Sequence, residues 1–177
     1  MDAIVAVYAD WGIGAKGTQP LVIPADRRRF RALTMGAAVI VGRRTLDDFP
    51  GGRPLPGREN LVLTRQNITI GGAQVVHSPA EAVAAAARYD RCFVIGGDSV
   101  FRQMSPHLTR VYVTKIDSAP HSDVFFPPIK RATECFSMNS LMSMRTIASS
   151  LSKRKLASAF VSSVLPTPVG PRNRNEP

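Results

Sequence analysis

Cysteine, tryptophan and acidic residues are scarce in this chain of 177 residues, and each shortage rules something out. The 2 cysteines, Cys92 and Cys135, supply neither a disulfide framework nor metal-ligand spacing. Cys92 lies in an apolar run where a buried thiol is expected, and the natural compartment is a reducing cytoplasm. The 3 histidines, His77, His107 and His121, are scattered, so no metal site is expected. No apolar stretch approaches the roughly 20 residues of a membrane helix. The opening MDAIVAVYAD has neither a basic lead-in nor a long apolar core, so export and membrane insertion are not expected.

What is present is apolar material for one core. Hydrophobic residues make up 44% of the chain and charged residues 20%, which suits one ordinary globular domain rather than a disordered or fibrous chain. The 13 acids face 23 Lys and Arg, giving a net charge of +10. Residues 1–127 hold 15 Lys/Arg against 11 Asp/Glu, and residues 128–177 hold 8 against 2, so most of the excess sits in the tail. A moderately basic front part suits an anionic small molecule as well as a nucleic acid, because Arg grips phosphate in both. The run Lys153-Arg154-Lys155 has no aromatic platform beside it, so it reads as a solubility feature and no nucleic-acid partner is expected.

Residues 3–9, 38–42, 60–64, 74–77, 92–96 and 111–116 are short runs rich in Val, Ile and aromatics, bounded by Gly, Pro or charge, and they read as strands. Several are continuously apolar, as strands covered on both faces are. Helices are expected over 25–34, after Pro24, and over 79–88, where Ser78, Pro79 and Glu81 form a capping box. A third is expected from a cap at Asp98 or Ser99 to about Met104. The alternation predicts an α/β fold with a mainly parallel sheet flanked by helices. After residue 127 Ser becomes frequent, and the close LPTPVGPRNRNEP reads as disordered. Residues 141–165 have no clean period, a helix or a strand near AFVSSVL both being open. The expected division is a domain over 1–128 and an atypical basic tail, partly disordered, over 129–177.

The helix after Pro24 places Asp26, Phe30 and Leu33 on one face, with Arg27, Arg28, Arg29 and Arg31 mostly elsewhere. Asp26 then either complements the helix dipole or is a carboxylate in an apolar cleft, where its raised pKa would suit it to hold a protonated heterocycle or manage a proton. CFVIGGDSVF is strand, Gly-Gly, helix: an ordinary turn, or a place where backbone N–H groups meet a pyrophosphate. Arg43, Arg44 and Thr45 leave the end of one strand, and Arg65 another. Singly they make a basic rim; together they favour an anionic cofactor. The loop PGGRPLPGREN carries Arg53 and Arg58, the latter able to fork a carboxylate or simply to sit at the surface.

Six segments in order, AIVAVYADWGIG, QPLVIPADRRRFRALT, VIVGRRTLDDFPGGRPLPGRENLVLTR, FVIGGDSVF, VYVTKID and SDVFFP, resemble dihydrofolate reductase over residues 3–127. The resemblance implies reduction of 7,8-dihydrofolate by NADPH, giving tetrahydrofolate for one-carbon metabolism, in a monomer. It implies that Asp26 binds the pteridine and supports protonation of N5, with Thr114 hydrogen-bonded beside it. Ile4, Val5, Phe30 and Phe49 would wall the pterin and benzoyl pocket, and Arg58, with Arg53 in the same loop, would meet the glutamate, Arg58 gripping its α-carboxylate. Ala6, Ile13 and Gly14 would lie along the nicotinamide. Gly42, Arg43, Arg44 and Thr45, with Ile95, Gly96, Gly97, Asp98, Ser99 and Val100, would hold the cofactor and its phosphates. Arg43, Thr64 and Arg65 would meet the 2′-phosphate.

The chain departs from the family at Leu21, where a tryptophan is common, at Arg27, where an apolar residue is common, and at Phe101 in place of tyrosine. After residue 127 the family continues with two antiparallel strands that complete the sheet edge. Nothing here alternates in that way, so no final strand pair is recognisable, as a frameshift or fusion would leave it, and whether the tail pairs into the sheet stays open. The competing readings are a pyrimidine reductase of riboflavin synthesis on the same scaffold, which the pairing of Asp26 with Arg58 disfavours, and a non-catalytic basic remnant of a reductase.

Overall fold

A computed structural model describes residues 1–128, and residues 133–138 and 144–147 as backbone strands. Along the chain come β1 (Asp2–Val7), β2 (Gly12–Gly14), α1 (Pro24–Thr34), β3 (Ala38–Gly42), α2 (Arg43–Asp47), β4 (Glu59–Leu63) and β5 (Ala73–Val76). They are followed by α3 (Pro79–Ala86), β6 (Cys92–Gly96), α4 (Asp98–Met104), β7 (Arg110–Lys115), β8 (Val124–Phe125), β9 (Thr133–Met138) and β10 (Met144–Ile147). The main sheet has the order β10-β9-β7-β1-β6-β3-β4-β5, and every pairing but β9 with β10 is parallel. A separate antiparallel pair joins β2 to β8.

The expected mainly parallel α/β sheet is therefore present, with each strand within two residues of its expected limits. The first strand ends early because the chain turns, with Tyr8 N–H donating to the Gly12 carbonyl at 2.9 Å and Trp11 N–H to the Tyr8 carbonyl at 3.0 Å. At α3 the capping box forms with an offset. Glu81 N–H donates to Ser78 Oγ (3.2 Å), while the Glu81 carboxylate accepts from His77 N–H (2.8 Å), one residue before the cap. The expected cap at Asp98 or Ser99 is corrected: Gly97 is the cap, with no side-chain bond, and Asp98 instead ion-pairs with Arg102 at 2.8 Å. Helix α2 escaped sequence reasoning because its 5 residues are too few to show a period.

Past residue 128 the sheet carries β9 and β10. Strand β9 runs parallel beside β7, pairing Arg110 with Thr133 through Lys115 with Met138, and β10 returns antiparallel to it. The outer edge of β7 offers a row of backbone donors and acceptors that any extended segment can satisfy. Pairing there needs no side-chain alternation, which is why no pattern announced it. The expected disorder of the closing segment, and the helix or strand near AFVSSVL, lie outside the described residues.

The two faces of the sheet follow from the period of two along each strand. Ala3, Val5, Val7, Ala38, Ile40, Leu61, Leu63, Val94, Val111 and Val113 point to one side, where α3 and α4 cover them with Ala82, Ala85, Ala86, Val100, Phe101 and Met104. Ile4, Phe93 and Tyr112 point to the other, beneath Phe30 and Leu33 of α1, and Val41 and Val62 beneath Leu46 of α2. Burying each such aliphatic side chain contributes roughly 1.5–3 kcal/mol.

Candidate active site

Helix α1 begins at Pro24, whose missing N–H is no loss in a first turn, and Asp26 stands in that turn. Phe30 and Leu33 pack against Ile4 and Phe93, with Ile95 and Tyr112 alongside. Register pairs Ile4 with Tyr112 and Ala6 with Thr114 on adjacent parallel strands, so Ala6 and Thr114 share the α1 side of the sheet with Ile4. The half-buried Asp26, Phe30, Ile95 and Ala6 and the buried Ile4 and Thr114 are thus brought to one side of the molecule.

Two of the expected residues stand as follows. Val5 points the opposite way from Ile4 and is buried among Val7, Val100 and Phe101, so only its backbone reaches the α1 side. Among the described residues no hydrogen bond joins Asp26 to Thr114: Thr114 is buried on the sheet, while Asp26 stands partly open to solvent on the helix layer above. One arginine of α1 departs from the solvent face. Arg29 is half-buried, and its Nη1 has no hydrogen-bond partner among the described residues.

Arg58 is tied to α1. Its Nη1 donates to Thr34 Oγ1 (3.3 Å), and its Nε and Nη2 donate to the Pro56 carbonyl at 3.1 and 3.0 Å. Partial burial, and then the neighbouring Arg31 guanidinium, hold its pKa below the usual arginine value. Both causes disfavour the cation, and a carboxylate arriving beside Arg58 and Arg31 would relieve both. An open cavity of about 200 Å³ lies here, lined by Gly36, Gly57, Arg58 and Glu59.

Sequence reasoning missed the residue that shapes this loop. Asn60 is buried, its Nδ2 donates to the carbonyls of Leu55 and Arg58, and its Oδ1 accepts from Leu55 N–H, all at 2.9 Å. A polar residue inside the expected strand 60–64 was the available signal, since a buried amide needs partners.

Around the corner, at the carboxyl ends of the adjacent strands β3 and β6, Gly42 and the Gly96-Gly97 pair come together with Thr45 and Val100. A Cβ on Gly97 would stand 2.8 Å from Thr45 Oγ1, and one on Gly42 would stand 3.0 Å from Val100 Cγ2. No side chain caps α2 or α4. Arg43 pairs with Asp47, and its buried Nε has no hydrogen-bond partner among the described residues. This is a bare-backbone cradle with an arginine donor to spare, which suits an anion. Arg44 and Ser99 are exposed nearby in sequence, and Asp98 is engaged by Arg102.

Thr64 and Arg65 follow β4 at the same end of the sheet, Arg65 exposed and Thr64 half-buried. Phe49 packs against the Val41, Leu46 and Val62 cluster under α2. Arg53 is exposed beyond Gly52 and makes no hydrogen bond or ion pair among the described residues.

Ile13 and Gly14 sit in β2, in a loop tied to residues 118–126. Asp123 Oδ2 accepts from Lys16 N–H at 2.8 Å, its N–H donates to the Gly14 carbonyl at 3.2 Å, and Phe126 N–H donates to the Trp11 carbonyl at 2.9 Å. Tyr8, fully buried, accepts at its hydroxyl from Leu21 N–H (3.0 Å) and anchors the loop's return. Phe101, also buried, meets Phe126 edge-on at 4.9 Å, and the far end of its ring lies beside Gly96, where a Cβ would stand 3.7 Å from Cζ.

With the geometry in place, the comparisons with known proteins agree with it. A family model described as dihydrofolate reductase matches residues 1–147. The dihydrofolate reductase of Mycobacterium leprae (strain TN) is 44% identical over 108 residues, 60% of this chain and 66% of its own length, just under two thirds. That of Neisseria meningitidis serogroup A is 38% identical over 129 residues, covering 72% of this chain and 79% of its own. A solved structure of dihydrofolate reductase from Enterococcus faecalis, complexed with NADP(H) and RAB-propyl, superposes with a TM-score of 0.68 at 35% identity, covering 72% of this chain and 77% of that one. By the extent of the family match, and by a relative 38% identical over 79% of its length, the chain belongs to the dihydrofolate reductase family.

Proposed function

We propose that this chain reduces 7,8-dihydrofolate to 5,6,7,8-tetrahydrofolate with NADPH, as a monomer in the cytoplasm and with no nucleic-acid or membrane partner. The observation that carries the reading is the pairing of two sites on one sheet: a half-buried carboxylate at the head of the apolar face of α1, and glycine backbone beside the buried Arg43 Nε at the ends of β3 and β6. What supports a pyrophosphate here is glycine backbone at the strand ends beside the buried Arg43 Nε, which no group among the described residues engages, with Thr45 and Val100 packed too close to Gly97 and Gly42 to admit a side chain. Gly42, Arg43, Arg44, Thr45 and Gly96 to Val100 would hold it there, Thr64 and Arg65 would meet a 2′-phosphate, and Ala6, Ile13, Gly14 and Ile95 would flank the nicotinamide.

When bound, NADPH supplies the hydride that reaches C6 of the substrate. The chain's own contribution is alignment and electrostatics. Asp26 accepts hydrogen bonds from the pteridine and favours a proton at N5. Ile4, Phe30 and Phe49 exclude water around the ring. Arg58 and Arg31 hold the glutamate end, which favours a folate over a ribose phosphate.

The experiment is loss of NADPH absorbance on adding dihydrofolate to the full chain, beside Asp26→Asn. The expected result is turnover that falls roughly 10²-fold or more in the variant. Turnover unchanged in Asp26→Asn, or a folded protein that binds NADPH and leaves dihydrofolate unreduced, would overturn the reading.

A further inference from the structure

Helix α1 carries more positive charge than its fold needs. Arg27, Arg28 and Arg31 are exposed, and among the described residues none of their guanidinium groups makes a hydrogen bond or an ion pair. Asp26 in the same helix and Glu59 beside Arg58 pair with none of them. Arg27 and Arg31 stand at i and i+4, and Arg28 and Arg31 at i and i+3, so two like-charge pairs meet at Arg31, an arrangement that destabilises a helix. Arg27 also stands where an apolar residue is common in the family, so this charge is the chain's own rather than part of the shared scaffold.

The charge also has a direction. Arg27, Arg31 and Thr34 share one flank of α1 at i, i+4 and i+7. Thr34 is buried and its Oγ1 accepts from Arg58 Nη1 at 3.3 Å, so the flank leads from Arg58 out to open solvent. Arg31 lies close enough to Arg58 to oppose its charge. From Arg31 to Arg27 is one turn, about 6 Å along the axis. A glutamate linked through its γ-carboxyl adds five main-chain bonds per repeat, against three in an ordinary peptide residue of roughly 3.3–3.6 Å, so its free α-carboxylates recur about every 6 Å. The two periods match.

We propose that Arg27 and Arg28, with Arg31, form a subsite for the second and third glutamates of a poly-γ-glutamylated substrate, so that the chain prefers dihydrofolates with extended tails. The proposal rests on the reading that Arg58 grips the α-carboxylate of the first glutamate. The tail turns back along the exposed flank of α1, one further carboxylate reaching Arg31 and the next reaching Arg27 and Arg28. Each carboxylate also relieves the repulsion among the arginines it meets. These contacts lie away from the reacting ring and are the same in the ground state and the transition state, so KM falls with tail length while kcat does not change.

The test is steady-state reduction of dihydrofolate carrying one, three or five γ-linked glutamates by the full chain, at about 0.01 M and about 0.5 M salt. In the unaltered chain KM is expected to fall roughly three- to tenfold from one glutamate to three at low salt, with little further change at five. High salt removes the difference. Arg27→Gln/Arg28→Gln keeps kcat and the KM of the monoglutamate within about twofold and abolishes the dependence on tail length, whereas Arg27→Lys/Arg28→Lys retains it. Turnover of the monoglutamate with a KM indifferent to tail length, or a dependence that survives in Arg27→Gln/Arg28→Gln, overturns the subsite and leaves the reductase reading standing. Such indifference, beside a single-stranded oligonucleotide that inhibits the unaltered chain and not Arg27→Gln/Arg28→Gln, assigns these arginines to nucleic acid instead. A folded chain that reduces no dihydrofolate of any tail length removes the reductase reading and the subsite with it.

Discussion

Removing the Asn60 side chain is expected to loosen the loop that carries Arg58 without touching the reacting end of the cleft. Asn60→Ala deletes three hydrogen bonds of 2.9 Å and leaves Leu55 N–H and the carbonyls of Leu55 and Arg58 without their partner. Each bond contributes about 1 kcal/mol net, and water can reach part of this half-buried loop, so the expected loss is about 2–3 kcal/mol. For a domain of this size that lowers Tm by roughly 5–10 °C. Asn60→Asp keeps the shape but turns both donors into one repelled oxygen facing two carbonyls, and it costs more than alanine. Because Arg58 would grip the glutamate end rather than the ring, KM for dihydrofolate rises roughly tenfold while kcat stays within about twofold. Thermal denaturation and steady-state kinetics on both variants check this. A Tm for Asn60→Ala within about 2 °C of the parent, together with an unchanged KM, would refute the clamp.

Gly97→Ala forces a Cβ to 2.8 Å from Thr45 Oγ1, so NADPH affinity drops about tenfold, or about 1.4 kcal/mol, with part of it restored by adding Thr45→Ala; fluorescence titration measures both. Asp123→Ala removes the carboxylate that accepts from Lys16 N–H at 2.8 Å, and is expected to lower kcat several-fold with little change in Tm; unaltered kcat and unaltered hydrogen exchange at Lys16 would count against it. Burial pushes the Cys92 thiol from 9.0 up to about 12, so the folded chain keeps a proton that the unfolded chain gives up. Stability is then fully present below about pH 9 and declines as pH rises toward 12, a decline that denaturation curves should find absent in Cys92→Ala. Peptide-resolved alkylation at neutral pH should leave Cys92 unlabelled until the chain unfolds.

The sequence by itself determined whatever depends on neighbours along the chain. Continuous apolar runs such as AVIVG and CFVIG placed strands, the Ser78-Pro79-Glu81 signal placed α3, and the spacing of Asp26, Phe30 and Leu33 placed a carboxylate at the head of an apolar stripe. The tertiary structure decided what depends on distant residues meeting. The Asp123 contact with Lys16 spans 107 positions, and β2 and β8, with 3 and 2 residues, are too short to carry a pattern of their own. Asn60 is an ordinary polar residue until the Leu55 to Arg58 loop folds over it. Val5 was expected beside Ile4 although the period of two already sets their side chains on opposite faces; packing decides only which of those faces lies beneath α1. The β7 edge accepted β9 because backbone hydrogen bonding is indifferent to side chains. Local pattern is written by the covalent chain and its periods, whereas faces, clamps and edges exist only once separate segments bury the same surface.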